Sequence, residues 1–67
     1  MAGGGKRMNV LKNIWLGSDE LVIIKRHGTC HVLEKDEDYD IVFGGNYKQC
    51  LEYLEKRWAE YQESVTG

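Results

Sequence analysis

The sequence predicts an α+β fold, a three-stranded antiparallel meander followed by one long C-terminal helix packed on one face (β-β-β-α), with a short N-terminal helix or arm in front. Three observations lead there. Two β-rich runs flank the dipeptide His27-Gly28, a third run follows a charged turn, and the last third of the chain keeps a helical period.

The helix is the clearest element. Tyr47, Leu51, Leu54, Trp58, Tyr61 and Val65 recur in steps of four and three, which lines them on one stripe. Glu52, Glu55, Lys56, Glu60 and Glu63 fall away from it. Asn46 is a good N-cap, and Gln49 three residues later completes a variant of the capping box. Gly44-Gly45 breaks the chain in front. Glu52 and Lys56 add an i,i+4 pair worth about 0.2–0.5 kcal/mol. The spacing predicts a helix from about Tyr47 to Glu63.

The strands come before it. Leu21-Val22-Ile23-Ile24 is apolar and mostly β-branched and ends in Lys25-Arg26. An X-Gly dipeptide between this run and Thr29–Glu34 is a hairpin signal. Lys35-Asp36-Glu37-Asp38 reads as a charged turn. In Tyr39–Phe43, the alternation assigns Tyr39, Ile41 and Phe43 to the face that meets the helix. The segment Asn9–Leu16 has two readings. Val10, Leu11, Ile14 and Trp15 have helical spacing, which favours a short helix or an irregular arm, whereas Ile14-Trp15-Leu16 equally begins a strand.

Sixty-seven residues suffice for one domain, taken as 9–67 behind a flexible arm over 1–8. A chain this short buries only about 60% of its unfolded surface, so a partner subunit, a metal or disulfides often assist. The net charge of −2 is not that of a generic phosphate binder. No apolar run approaches the roughly 20 residues of a membrane span, and no signal-peptide core is evident. A cytoplasmic location is expected, with Cys30 and Cys50 as thiols.

Several residues invite chemistry. His27, Cys30, His31 and Cys50 are zinc-ligand types, yet Cys30 and His31 are strand neighbours that point to opposite faces. No Cys-x-x-Cys pair is present. Cys50 lies in the first helical turn, where a dipole favours a thiolate, but the chain has little room for a substrate pocket and an oxyanion hole. No catalytic residue, cofactor or metal is therefore assigned, and the chain is read as not an enzyme. The acidic turn Asp36, Glu37 and Asp38 lacks the spacing of a calcium loop and reads as a patch for a basic partner. Lys25 and Arg26, with Lys48 at the helix start, are the basic alternative, a surface for a phosphate backbone.

The aromatics carry the leading expectation. A helix of more than four turns outruns strands of five or six residues. Trp58 and Tyr61 should then be left uncovered by the sheet, with Tyr53 pointing elsewhere and also exposed. Aromatic anchors of this kind are typical of interface hot spots, and the four-three spacing suits helix pairing in a homodimer.

The element order β-β-β-α resembles small arm-binding domains that read the DNA major groove with their sheet. With a helix over the Asn9 segment, it resembles the double-stranded-RNA-binding domain. Both likenesses cover element order alone. Where the RNA-binding family has a lysine cluster, Asn46-Tyr47-Lys48-Gln49 has one lysine. The short, acidic chain is also similar to accessory proteins of phages and mobile elements. The expectation is a non-catalytic protein-interaction module, a regulator or inhibitor of a larger protein, using Trp58, Tyr61, Tyr53, Asp36, Glu37 and Asp38. The partner would be another protein or a second copy. Nucleic acid is the alternative, and no membrane contact is expected.

Overall fold

Antiparallel pairing begins earlier in the chain than the hydrophobic runs suggest. The computed structural model describes residues 10–66. Within them, β1 (Val10–Leu16), β2 (Asp19–Arg26), β3 (Thr29–Glu34) and β4 (Asp40–Gly45) form one sheet in the order β1-β2-β3-β4. The helix α1 (Tyr47–Thr66) follows. The α+β meander with one C-terminal helix is as read from the sequence, but the sheet has four strands instead of three. The expected arm over 1–8 lies outside the described residues.

The added strand is the segment that divided between helix and strand. Helical spacing of Val10, Leu11, Ile14 and Trp15 loses to pairing with β2, in register from Lys12↔Ile23 to Leu16↔Asp19. The loop between them is the two residues Gly17-Ser18. Gly17 has φ +68°, as the first position of a type II′ hairpin requires. The second hairpin turns on His27 and Gly28, both at positive φ (+52° and +80°), the signature of type I′. Here His27 accepts a conformation that Asn or Asp takes more readily.

The last connection corrects one assignment of faces. Lys35–Glu37 forms a 3-10 turn, which Asp38 closes in the left-handed region while its N–H donates to the Lys35 carbonyl. Tyr39 follows, also left-handed, outside β4. A register irregularity then sets Val32 against Phe43 but Leu33 against Ile41. Val42 and Phe43 therefore pack toward the helix, whereas Ile41 turns to the other face and is half exposed. The expected set of Tyr39, Ile41 and Phe43 on one face is broken by this bulge.

The core lies between the helix and one sheet face. Leu16, Leu21, Ile23, Cys30, Val32, Cys50 and Leu54 are buried there. Leu21, Ile23, Val32 and Cys50 are fully enclosed. On the opposite face, Val22, Ile24 and Leu33 form a second, smaller cluster. The helix starts beside the β2–β3 hairpin, with Cys50 in one cluster with Cys30, and crosses diagonally to the β1–β2 turn. There a Cβ added to Gly17 would meet the Tyr61 hydroxyl at 3.2 Å. The amphipathic period sets the helix, and the absence of a Cβ at Gly17 lets its far end approach the turn.

Candidate functional site

The helix is apolar over a wider arc than the sheet covers. At about 100° per residue, the stripe of Tyr47, Leu51, Leu54, Trp58, Tyr61 and Val65 is centred roughly 50° from the direction of Cys50, Leu54, Arg57 and Tyr61, which face the sheet. The surplus turns toward β1. Trp58 stays 42% exposed, and Tyr47 and Val65 are exposed as well. The helix continues to Thr66, three residues past the expected Glu63.

Because the helix crosses diagonally, a groove opens between it and β1. The groove holds about 540 Å³ and is bounded by Lys12–Trp15 on one side and Leu51, Leu54, Glu55 and Trp58 on the other. Four consecutive strand residues form one wall, so the wall is the edge of β1 itself, not one face of its side chains. Trp15 is 52% exposed at the end of that wall. Among the described residues, nothing pairs with this outer edge.

The expected partner-binding residues divide. Trp58 borders the groove and its ring lies 5.8 Å from that of Tyr61. Tyr61 is half-buried against the β1–β2 turn, so it is less free than expected. Tyr53 is half-buried too, stacked on Phe43 with ring centroids 4.8 Å apart. That contact corrects its expected exposure, since aromatic stacking on β4 covers one ring face. Asp36, Glu37 and Asp38 are exposed in and just after the 3-10 turn and do not line the groove.

A cluster of carboxylates ties the turns to the helix. Arg57 donates from Nη2 to Glu34 Oε2 at 2.9 Å and from Nη1 to Glu34 Oε1 at 3.0 Å, a bidentate pair. Its Nη1 also donates to the Tyr53 hydroxyl at 3.1 Å. Asp19 Oδ1 accepts the N–H groups of Glu20 (2.8 Å) and Asp36 (2.9 Å). The Arg57 guanidinium holds the Glu34 carboxyl down at about 2, and burial, with Glu34 beside it, pushes Asp19 up. On the other face, Asn13 Nδ2 and the Tyr39 hydroxyl both donate to Glu20, at 2.7 and 2.8 Å. These bonds bind β1 and the β3–β4 connection to β2.

The residues weighed for zinc do not converge, because the two histidines lie away from the two cysteines. Cys30 and Cys50 are free, buried thiols in the core, His31 belongs to the opposite sheet face, and His27 is at a hairpin tip. Among the described residues, the metal-ligand-type groups brought together are instead Asp19, Glu34 and Asp36, two of which already hold hydrogen-bond partners. Burial pushes the Cys50 thiol up, against the helix-terminus effect that would activate it.

Topology also sorts the charges. Lys25 and Arg26 on β2 and Lys48 on α1 are exposed at the end that carries the β2–β3 hairpin. Residues 21–33 and 41–51 contain no carboxylate. The opposite end gathers Asp19, Glu20, Glu34, Asp36, Glu37, Asp38 and Asp40 around the register pairs Leu16↔Asp19 and Glu34↔Asp40. The helix adds to this polarity. Its first turn has no acidic residue and its last turn no basic one, so neither end opposes the macrodipole.

No protein-family model, no curated protein and no solved structure matches this chain. The fold and the groove therefore stand on their own geometry. The partner-binding set expected from the sequence includes Trp58 but not Lys12–Trp15, which line the same groove. The signal was available in β1, where Lys12, Ile14 and Leu16 alternate with Asn13 and Trp15, but helical spacing competed with it.

Proposed function

We propose that this protein is a non-catalytic protein-interaction module, a regulator or inhibitor of a larger protein, whose contact surface is the groove between β1 and α1. The observation that carries this reading is a half-exposed Trp58 beside an apolar groove that runs along an open strand edge. Amphipathic aromatics next to a concavity are the usual anchors of binding energy. A free edge offers main-chain hydrogen bonds to an incoming strand. The acidic end, Asp36, Glu37 and Asp38 among its residues, would steer a basic partner and add mainly to on-rate.

The test is affinity capture from the source cell's lysate with the wild type and with Trp58→Ala, each with and without nuclease. A protein retained after nuclease by the wild type and lost by the variant, whose circular dichroism is unchanged, supports the reading. Equal capture by both removes the groove.

A second reading, nucleic-acid binding, is favoured by the carboxylate-poor end that bears Lys25, Arg26 and Lys48. It requires affinity for DNA or RNA that falls steeply with salt and weakens when Lys25 and Arg26 are replaced.

A further inference from the structure

We infer that the groove's partner is a second copy of this chain, joined by antiparallel pairing of β1 with β1 about a two-fold axis near Ile14. This deepens the interaction-module reading and rests on it.

The edge itself selects the register. In a two-residue hairpin the residues flanking the loop form a hydrogen-bonded pair, and such pairs alternate along the ladder. Leu16, Ile14 and Lys12 thus turn their N–H and C=O groups inward to β2, and Asn13 and Trp15 turn theirs outward. The regular stretch of β1 runs from Lys12 to Leu16, and the irregularity between Val10 and Lys12 lies outside it. Ile14 is its midpoint. Two such stretches in antiparallel order set Asn13 of each copy against Trp15 of the other, so that all outward groups of these residues find partners. Ile14 then meets its own copy on the helix side, and the two grooves face each other across it with both Trp58 rings on their walls.

Charge complementarity points the same way. β1 runs from the basic end toward the acidic end of the molecule. Antiparallel pairing lays the Lys25, Arg26 and Lys48 end of each copy beside the carboxylate-rich end of the other. It also opposes the two helix dipoles, which the side chains of a single copy leave uncompensated. A parallel arrangement would place like ends together.

The experiment is sedimentation equilibrium of the full chain, combined with amide hydrogen exchange. Expected is a species of twice 7.7 kDa, about 15 kDa, in which the Asn13 amide is protected and the Trp15 amide exchanges at least tenfold more slowly than in Asn13→Pro. That variant should sediment as a monomer with unchanged circular dichroism, because the lost main-chain N–H is the outward one and the Asn13 side-chain bond to Glu20 that goes with it is exposed. The exchange measurement on the wild type stands even where the variant fails to fold. A monomer at about 0.5 mM, far above the micromolar Kd of a modest standard interface, overturns the inference and leaves the groove for another protein. A dimer with freely exchanging Asn13 and Trp15 amides overturns it as well, because association then uses a different surface.

Discussion

Arg57 holds two parts of the molecule together through one carboxylate. Its guanidinium is about one-quarter exposed and Glu34 about one-tenth, so the pair is partly desolvated. Removing Arg57 leaves Glu34 beside Asp19 without a cation, and Arg57→Ala should destabilise by about 2–3 kcal/mol, measured by urea unfolding. The same pair sets the acid response. Glu34 has a folded value near 2 against an ordinary 4.5. Its stabilisation is present above pH 4.5 and is lost as pH falls toward 2. Asp19 acts in the opposite sense, because its raised value favours the folded state at low pH and weakens it as pH rises. An amide at this position still accepts the Glu20 and Asp36 N–H groups. Asp19→Asn should therefore be neutral or up to about 1 kcal/mol stabilising at pH 7, with a steeper loss on acidification. A destabilisation above that size would show that the carboxylate charge itself is required.

Helix and strand obey different limits. The start of α1 is set locally: Asn46 Oδ1 accepts the Gln49 N–H at 2.8 Å, and Gln49 Oε1 accepts the Asn46 N–H at 3.0 Å. Asn46→Ala should cost about 1 kcal/mol in a thermal melt. The far end is set by tertiary contact. Gly17→Ala adds a Cβ against the Tyr61 hydroxyl at a positive φ, so a loss of about 1–2 kcal/mol is expected from unfolding curves. The apolar stripe read along the helix is real, but its centre is displaced from the sheet. A stripe is a property of the helix alone, whereas the buried direction depends on how the helix lies. Trp58 consequently belongs to the groove more than to the core, and Trp58→Ala should lower stability by only about 1–2 kcal/mol. Complete unfolding on that change would return the residue to the core and remove the proposed contact surface.

Across the whole molecule, charges far apart in sequence collect at two ends. Antiparallel strands reverse direction at each turn, so Lys25 and Arg26 join Lys48, and Asp19 and Glu20 join the 34–40 acidic run. Such polarity costs a single copy a little stability. Lys48→Glu reverses one unfavourable charge in the first helical turn and should raise the melting free energy by about 0.3–1 kcal/mol at low salt. A loss of stability there would mean that Lys48 serves the fold of one chain and not an encounter with another. An acidic net charge alone conceals this arrangement, because it sums both ends.

By itself, the sequence determined what nearest neighbours decide. It specified the capping box at Asn46, the period of α1, the turn at His27-Gly28 and the existence of β2 and β3. Each depends on residues within a few positions of one another, which is the range over which backbone propensity and side-chain period act. It left Asn9–Leu16 open between helix and strand, because its apolar residues satisfy both periods and only the β2 edge selects one. Tertiary structure alone decided the bulge that turns Ile41 away from Phe43 and the Arg57–Glu34 pair. It also decided the diagonal of the helix, which leaves a groove at β1. These depend on where two distant segments meet, and that meeting is set by the packing of the whole sheet against one helix face.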